Sequence, residues 1–378
     1  MAVLSEEQTM LRDAAKSWVS EKSPVTAFRK LRDSGNADGF DRTAWSEMAQ
    51  MGWAGILIPE EFGGSGLGYL TLGLVLEETG RTLTASPLVS TALTAATALL
   101  LGGNDAQKKA WLPKIAEGKA IATLAVDEAA HHAPARIALK ATKSGTGWVL
   151  SGKKTFVLDG GAADLVIVAA RTSGKSGDTS GITLFLVDGN AKGLSRQKLK
   201  SVDSRGVANL SFDNVEAGAD AVLGSVDHGF GILEATLDRA RAGLAAEMLG
   251  SATQAFETTL DYLKTRVQFG QVIGTFQSLQ HRAAKMYTDL ELTRSCVEAA
   301  LSAIDNNSND VAQLVSLAKA KANEVYHLVS NEMVQMHGGI GMTDAHDAGL
   351  YLKRARAAEA TFGSAAYHRD RYASLLEY

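Results

Sequence analysis

The sequence predicts an α+β multidomain fold: an N-terminal helical domain, a middle β-sandwich or barrel, and a C-terminal four-helix bundle. Three observations carry that expectation. Helical spacing of apolar residues runs from Ser5 to about Gly118; short β-rich runs replace it from Ile121; and after Leu223-Gly224 the helical period returns and persists to the end. The expected domains are therefore 1–118, 119–226 and 227–378. A chain of 378 residues is longer than one domain usually grows, so more than one packed unit is expected.

In the first segment, Ser5 and Gln8 have the spacing of a capping box, with acids following at once. Such a start opens a helix and is unlike a secretory signal, so the cytoplasm is the expected location. Trp45, Met48, Met51 and Trp53 lie close together in the helical pattern, which breaks at Ser34-Gly35, Pro59 and Gly63-Gly64-Ser65-Gly66. Thr82 to Asn104 carries no charge, but Pro87, several threonines and Gly102-Gly103 leave only Leu88 to Leu101 as an apolar helix. That is too short to cross a bilayer, and no membrane span is expected.

The middle segment shows Trp148-Val149-Leu150, Leu165 to Val168 and Ile182 to Val187 as short runs divided by Gly, Asp and Ser, the pattern of a small sandwich or barrel. In the last segment, Leu233, Leu237, Ala240, Leu244, Met248, Ala252, Phe256, Leu260 and Leu263 recur every three or four residues, as on one face of a long buried helix. Further helices are expected over Leu279 to Ile304, Val311 to Met336 and Ala345 to Leu376, and four such helices pack most simply as an antiparallel bundle.

Composition narrows the function. Lys and Arg number 38 against 42 Asp and Glu, a formal charge of −4 with no basic cluster joined to aromatics, which argues against nucleic acid. A lone Cys296 forms no internal disulfide and fits a reducing compartment. No Gly-x-Gly-x-x-Gly follows a strand, Gly-x-Ser-x-Gly is absent, and His131-His132 has no metal-ligand spacing. Nicotinamide dehydrogenase, hydrolase and metalloenzyme readings drop out.

Two segments are candidates for chemistry. Arg266 to Gln277 carries an arginine, an aromatic residue, glutamines and glycines between two helical segments. Arginine donates paired hydrogen bonds to phosphate oxygens, although the same stretch also reads as an interhelix turn broken by Gly270 and Gly274. Gln335-Met336-His337-Gly338-Gly339 reads either as a helix stop or as backbone open to a bulky ligand, with His337 a packing residue.

Taken together, these segments resemble the flavin-diphosphate grip of the acyl-CoA dehydrogenase family. Ile58-Pro59-Glu60-Glu61-Phe62-Gly63-Gly64-Ser65-Gly66, Leu150-Ser151-Gly152-Lys153-Lys154, Ala162-Ala163-Asp164 and Val222-Leu223-Gly224 fall in the family's order. The resemblance implies FAD, an acyl-CoA substrate, electron-transfer flavoprotein as acceptor and a dimer of dimers in which the neighbouring subunit clasps part of the cofactor. It places Arg266, Gln268 and Phe269 in one cofactor contact set, Gln335, Gly338 and Gly339 in another, Ile273, Gln277 and Leu279 nearby, and Asp238 and Arg241 close to the thioester.

The family mechanism needs a carboxylate to take the α-proton while the β-hydrogen leaves as hydride to the flavin. Both positions where the family puts that base hold other residues, Phe362 and Ala240. The usual Thr-Glu-Pro-Gly-rich segment appears as Asp127-Glu128-Ala129-Ala130-His131-His132-Ala133, and the family's Trp-Ile-Thr as Phe156-Val157-Leu158. The resemblance is nearest to the base-lacking type exemplified by the small subunit of pimeloyl-CoA dehydrogenase, through Thr361-Phe362-Gly363 and His368. Two assemblies follow: a heterotetramer whose partner subunit carries the base, or a homotetramer using another carboxylate such as Glu359 or Asp344. A flavin oxidase or monooxygenase on the same fold and a non-catalytic structural subunit complete the alternatives.

Overall fold

A computed structural model describes residues 4–378. The chain divides into two compact units, one comprising Met1–Arg29, Tyr69–Thr84 and Arg241–Tyr378, the other Lys30–Gly68 and Ala85–Ala240. Among the described residues no helix is long and apolar enough to cross a membrane.

In the first unit, α1 (Glu6–Lys22) starts at the expected capping box, with Ser5 Oγ accepting from the Gln8 amide at 3.1 Å and Gln8 Oε1 from the Ser5 amide at 3.0 Å. Helix α4 (Gly68–Arg81) has its first free amides, Tyr69 and Leu70, capped by the Asp305 carboxylate at 2.6 and 2.9 Å. It crosses α7 (Phe230–Thr265) at very close range. A Cβ on Gly80 would lie 2.1 Å from the Glu247 carbonyl oxygen, and one on Gly250 would lie 1.8 Å from that of Glu77, so only glycine permits the approach.

Helix α7 is followed by a hairpin of β9 (Val267–Gln268) and β10 (Gln271–Val272), then α8 (Gln277–Asp305) and α9 (Val311–His337). Successive long helices with short connections run in alternating directions, so the C-terminal ends of α7 and α9 fall at the same end. The apolar stripe of α9, Val315, Ala318, Ala322, Val325, Tyr326, Val329 and Met333, is buried as its spacing requires.

The expected helix from Ala345 to Leu376 is instead two, α10 (Ala348–Ala360) and α11 (Ala365–Leu375). Phe362 and Gly363 take left-handed backbone angles, φ 58° and 113°, which a continuing helix cannot contain. Ser364 then caps α11, its hydroxyl accepting from the Tyr367 amide at 3.3 Å. The residue before α10 is Asp347, so Asp344 is not a helix cap.

The second unit holds α3 (Arg42–Gln50), α5 (Ala96–Gly102), α6 (Asp105–Ala116) and the β-sheet, with α2 (Val25–Ser34) leading in. The apolar stretch after Pro87 is helical as expected, but Leu88–Ala95 winds as a wide π-type helix before α5. Trp45, Met48 and Trp53 are buried, and Trp45 Nε1 donates to the Gly118 carbonyl at 2.9 Å; Met51 points outward.

Eight strands make one sheet: β1 (Ala122–Ala125), β2 (Lys140–Ser144), β3 (Gly147–Leu158), β4 (Leu165–Arg171), β5 (Ile182–Asp188), β6 (Leu194–Lys198), β7 (Val207–Ala217) and β8 (Val222–Leu223). The order is β6-β7-β3-β2-β4-β5-β8, with β1 paired to β4 in parallel. Leu210, Phe212 and Val215 of β7 share one core with Val166 and Val168 of β4 and Phe185 of β5, and Trp148 of β3 meets Phe185 edge-on at 5.6 Å. The sheet therefore folds over on itself, as a small sandwich or barrel does.

Candidate functional site

The two sequence-predicted segments of the first unit come together. Tyr262, in the last turn of α7, stacks on His337, the last residue of α9, at 4.3 Å between ring centroids, and His337 stacks on His346 at 4.2 Å. His337 Nδ1 bonds the Met333 carbonyl at 2.7 Å, and burial pulls its imidazole below the usual range. His337 is thus the packing residue that joins the Arg266 and Gly338-Gly339 segments.

What these segments display is outward. Arg266, Gln268, Gln277, Gln335, Gly338 and Gly339 are all exposed, and Ile273 is half-buried in a short 3-10 turn. The hairpin turns through Phe269 and Gly270, both left-handed at φ 53° and 77°, the pattern of a type I′ turn, and the Ile273 amide closes it on the Arg266 carbonyl at 2.8 Å. Phe269 is 89% exposed, and its ring meets Phe276 edge-on at 6.0 Å. Gly338 is left-handed, and a Cβ on Gly338 or Gly339 would meet nothing within 4 Å. No packing inside the chain demands the second glycine.

The Phe362 turn is built differently. Its two left-handed residues have their carbonyl oxygens held by side chains from α7, α9 and α11. Phe362 O accepts from Arg241 Nε at 3.3 Å and from His368 Nε2 at 3.0 Å, while Gly363 O accepts from Lys319 Nζ and Asn323 Nδ2, each at 3.2 Å. Lys319 Nζ also donates to Asn323 Oδ1 at 2.6 Å and to the Ala358 carbonyl at 3.0 Å. Arg241, Lys319 and His368 are all fully buried. Burial pushes the Lys319 ammonium down to about 7. Burial, and then the charges of Lys319 and Arg241, push His368 down to about 2, so His368 donates as a neutral imidazole.

Neither substrate-type position is displayed to solvent. Asp238 is 6% exposed, Ala240 is fully buried, and Arg241 also donates to the Tyr367 hydroxyl at 3.1 Å with its guanidinium over that ring. The two replacement carboxylates are committed elsewhere. Glu359 accepts from Arg356 at 2.7 Å and from His327 at 3.0 Å, the ion-paired role; Asp344 lies 3.5 Å from Arg29, to which its carbonyl oxygen also binds at 2.6 Å.

In the second unit, the carboxylates of the Asp127–Ala133 segment are bonded within that unit. Asp127 accepts from His132 Nδ1 at 2.8 Å and from the Ala133 amide at 3.1 Å. Glu128 accepts from the Ala138 and Leu139 amides at 2.8 and 3.0 Å and from the fully buried Lys154 at 2.7 Å. Burial draws the Lys154 ammonium below its usual range and Glu128 opposes that pull. Phe156 sits at an irregularity of the β3–β7 pairing with φ 53° and is 59% exposed. Phe156, Phe269 and Phe362 are thus three left-handed phenylalanines, a conformation that bulky side chains resist and that collects at functional positions.

Sequence reasoning missed Lys319 and Asn323. Their signal was present: two polar residues at i and i+4 within the buried stripe of a helix are expected only where buried partners await them.

Comparison with known proteins now adds to this geometry. Family models described as the N-terminal, middle and C-terminal domains of acyl-CoA dehydrogenase match residues 5–119, 127–215 and 227–376. Isovaleryl-CoA dehydrogenase of Pongo abelii is 33% identical over 97% of this chain and 88% of its own. Butyryl-CoA dehydrogenase of Megasphaera elsdenii superposes with a TM-score of 0.92 at 26% identity, covering both chains in full. A chain of the ChsE4-ChsE5 complex of Mycobacterium tuberculosis superposes at 0.90 with 26% identity, over 100% of this chain and 99% of that one.

Proposed function

The chain belongs to the acyl-CoA dehydrogenase family of FAD-dependent oxidoreductases, and from that premise we propose that it is the base-lacking subunit of a heteromeric enzyme, lending its flavin grip to a partner that carries the carboxylate. The observation that carries this reading is the contrast at the two ends of α9. The grip residues are exposed at one end, while the turn in the place of the base presents Phe362 at the other. From Lys319, which holds that turn, to His337, beside the grip, α9 spans roughly 27 Å at the helical rise per residue. That is far longer than the ribityl chain joining a flavin ring to its diphosphate, so one cofactor does not use both places on one chain.

The residues present fit FAD on the grip side. Arg266 would donate paired bonds to the diphosphate. Gly338 and Gly339 leave backbone open to close approach, and Phe269 offers an aromatic face. When bound, FAD supplies the acceptor for the β-hydrogen of an acyl-CoA thioester. Phe362 takes no proton, and Ala240 takes none. The α-proton must then go to a carboxylate of the partner, and this chain's part is to bind and orient. The Asp127–Ala133 segment supports the same division, because carboxylates already bonded within their own unit are not available to a flavin ring. The family resemblance of the ChsE4-ChsE5 complex, named as a pair of chains, is consistent with a heterotetramer.

The test is to purify the chain alone and with a family member carrying the glutamate, count FAD per chain, and add acyl-CoA thioesters without oxygen. The expected result is little flavin alone and thioester-bleached flavin in the mixed complex. A chain that alone holds about one flavin and bleaches with a thioester overturns the proposal in favour of a self-sufficient homotetramer.

A further inference from the structure

The Phe362 turn is not a degenerate loop. Two consecutive carbonyl oxygens, those of Phe362 and Gly363, each accept two side-chain hydrogen bonds, from Arg241 with His368 and from Lys319 with Asn323. Four donors on three helices converge on a turn whose backbone is left-handed at a phenylalanine. Left alone, such a turn would relax, because the left-handed conformation is disfavoured for a residue with a Cβ. Buried donors that lose their acceptors cost more, so the turn and its holders fix one another.

We propose that Lys319 and Asn323 are positioning residues, which with Arg241 and His368 clamp the Thr361–Gly363 turn so that side chain 362 is carried at a fixed place whatever its chemistry. The inference deepens the proposed function and rests on it for the meaning of position 362 as the place of the family's base. Lys319 is suited to the task because its Nζ reaches three acceptors, the Asn323 side chain on its own helix, the Ala358 carbonyl in the last turn of α10 and the Gly363 carbonyl of the turn itself. One Nζ therefore ties the end of α10 to the turn that follows it. Asn323 completes the geometry by accepting from Lys319 through Oδ1 and donating to Gly363 O through Nδ2. Glu359, the nearest carboxylate on the same stretch, is bound to Arg356 and His327 and does not replace either holder.

Two measurements separate the clamp from the reading it rests on. Hydrogen exchange of the peptide spanning 361–367 is followed in the full chain and in Lys319→Met and Asn323→Ala. The expected result is at least tenfold faster exchange of that peptide, with the central turns of α9 unchanged. Unchanged exchange in both variants overturns the clamp, and so does loosening of α9 as a whole, since that marks a merely structural role. Separately, Phe362→Glu is assembled with the partner subunit and its own flavin-bleaching rate with acyl-CoA is measured with and without Lys319→Met. Gain of activity in Phe362→Glu, and at least a tenfold fall in its kcat with KM and flavin content held when Lys319→Met is added, supports the clamp. A fall in KM affinity or flavin content with kcat unchanged overturns it. An inert Phe362→Glu chain that holds flavin at its own site, together with a loosened turn in Lys319→Met, leaves the clamp standing and removes position 362 from the place of the base.

Discussion

Asp127–Ala133 and the hairpin Val267–Val272 are both segments where ligand contacts were expected, and the chain has treated them in opposite ways. In the first, Asp127 and Glu128 bind backbone amides of their own unit, a histidine and a buried lysine. In the second, Arg266, Gln268 and Phe269 stand in solvent at a turn that phenylalanine itself disfavours. A polar group that is buried and bonded has become part of the fold's stability. One that is exposed, beside a strained aromatic, adds little to stability and so is better explained by what it can bind. The difference teaches that the polar groups of the first segment are spent on the fold, whereas those of the hairpin face solvent, where the proposed cofactor grip would need them.

The largest effect should come from breaking the first segment. Glu128→Ala removes the carboxylate partner of Lys154, which is fully buried, and leaves two amides without their acceptor. Breaking a buried pair in this way costs about 3–5 kcal/mol. The measurement is denaturant unfolding of the purified chain, with FAD per assembled complex as the control. A stability loss with flavin content unchanged would confirm that the segment serves the fold; a loss of flavin with no loss of stability would return it to the site.

Next in size is a pH effect from the clamped turn. Lys319 has a folded-state value of about 7 against an ordinary 10.5, because burial disfavours its charged form. Between those values the unfolded chain binds a proton that the folded chain does not, so stability rises as pH rises through that window. The cost is fully present below about 7. The slope contributed by one such proton is at most about 1.4 kcal/mol per pH unit. Urea midpoints measured from pH 7 to pH 9 should climb less in Lys319→Met than in the unaltered chain, and equal slopes would mean that Lys319 keeps an ordinary affinity for its proton.

How much of this could be read from sequence varies with the kind of interaction. The order of helical, β and helical segments was legible because apolar periodicity reports which face of an element is buried, and the capping box at Ser5 was legible because it is local. The break at Thr361–Ser364 was hidden by an apolar pattern that runs through it, and only the Gly363-Ser364 pair hinted at a stop followed by a cap. Strand β7 was passed over although Ala208, Leu210 and Phe212 alternate inward. Three of the four clamp contacts join residues 40 or more positions apart, 121 in the case of Arg241 and Phe362, and no local pattern encodes those. Phe362 and Ala240 were legible as residue types, yet the fate of Glu359 and Asp344 required their partners to be seen.

On the outward side, Arg266→Ala should weaken FAD binding to the assembled complex by tenfold or more, the effect of losing one charge-assisted contact to phosphate. Stability should move by less than about 0.5 kcal/mol, since the side chain is exposed. Unchanged FAD affinity, measured by titration of the stripped complex, would remove the diphosphate contact and with it much of the contrast with Asp127–Ala133.

The smallest effect is the most discriminating, because it separates the shape of the hairpin from its chemistry. Phe269 and Gly270 occupy the two central positions of a turn in which both residues are left-handed. Asparagine followed by glycine is the favoured pair for that geometry, so Phe269→Asn should keep the turn and relieve the strain that phenylalanine carries there. What the variant lacks is an aromatic ring that is 89% exposed and contributes little to the core. If the ring serves the cofactor of a neighbouring subunit, FAD affinity should fall by a few-fold, the scale of one aromatic contact at about 0.5–1.5 kcal/mol, while the melting temperature holds or rises. If affinity is unchanged, the hairpin acts through Arg266 and backbone alone, and the left-handed phenylalanine at its tip is then strain with no ligand to account for it.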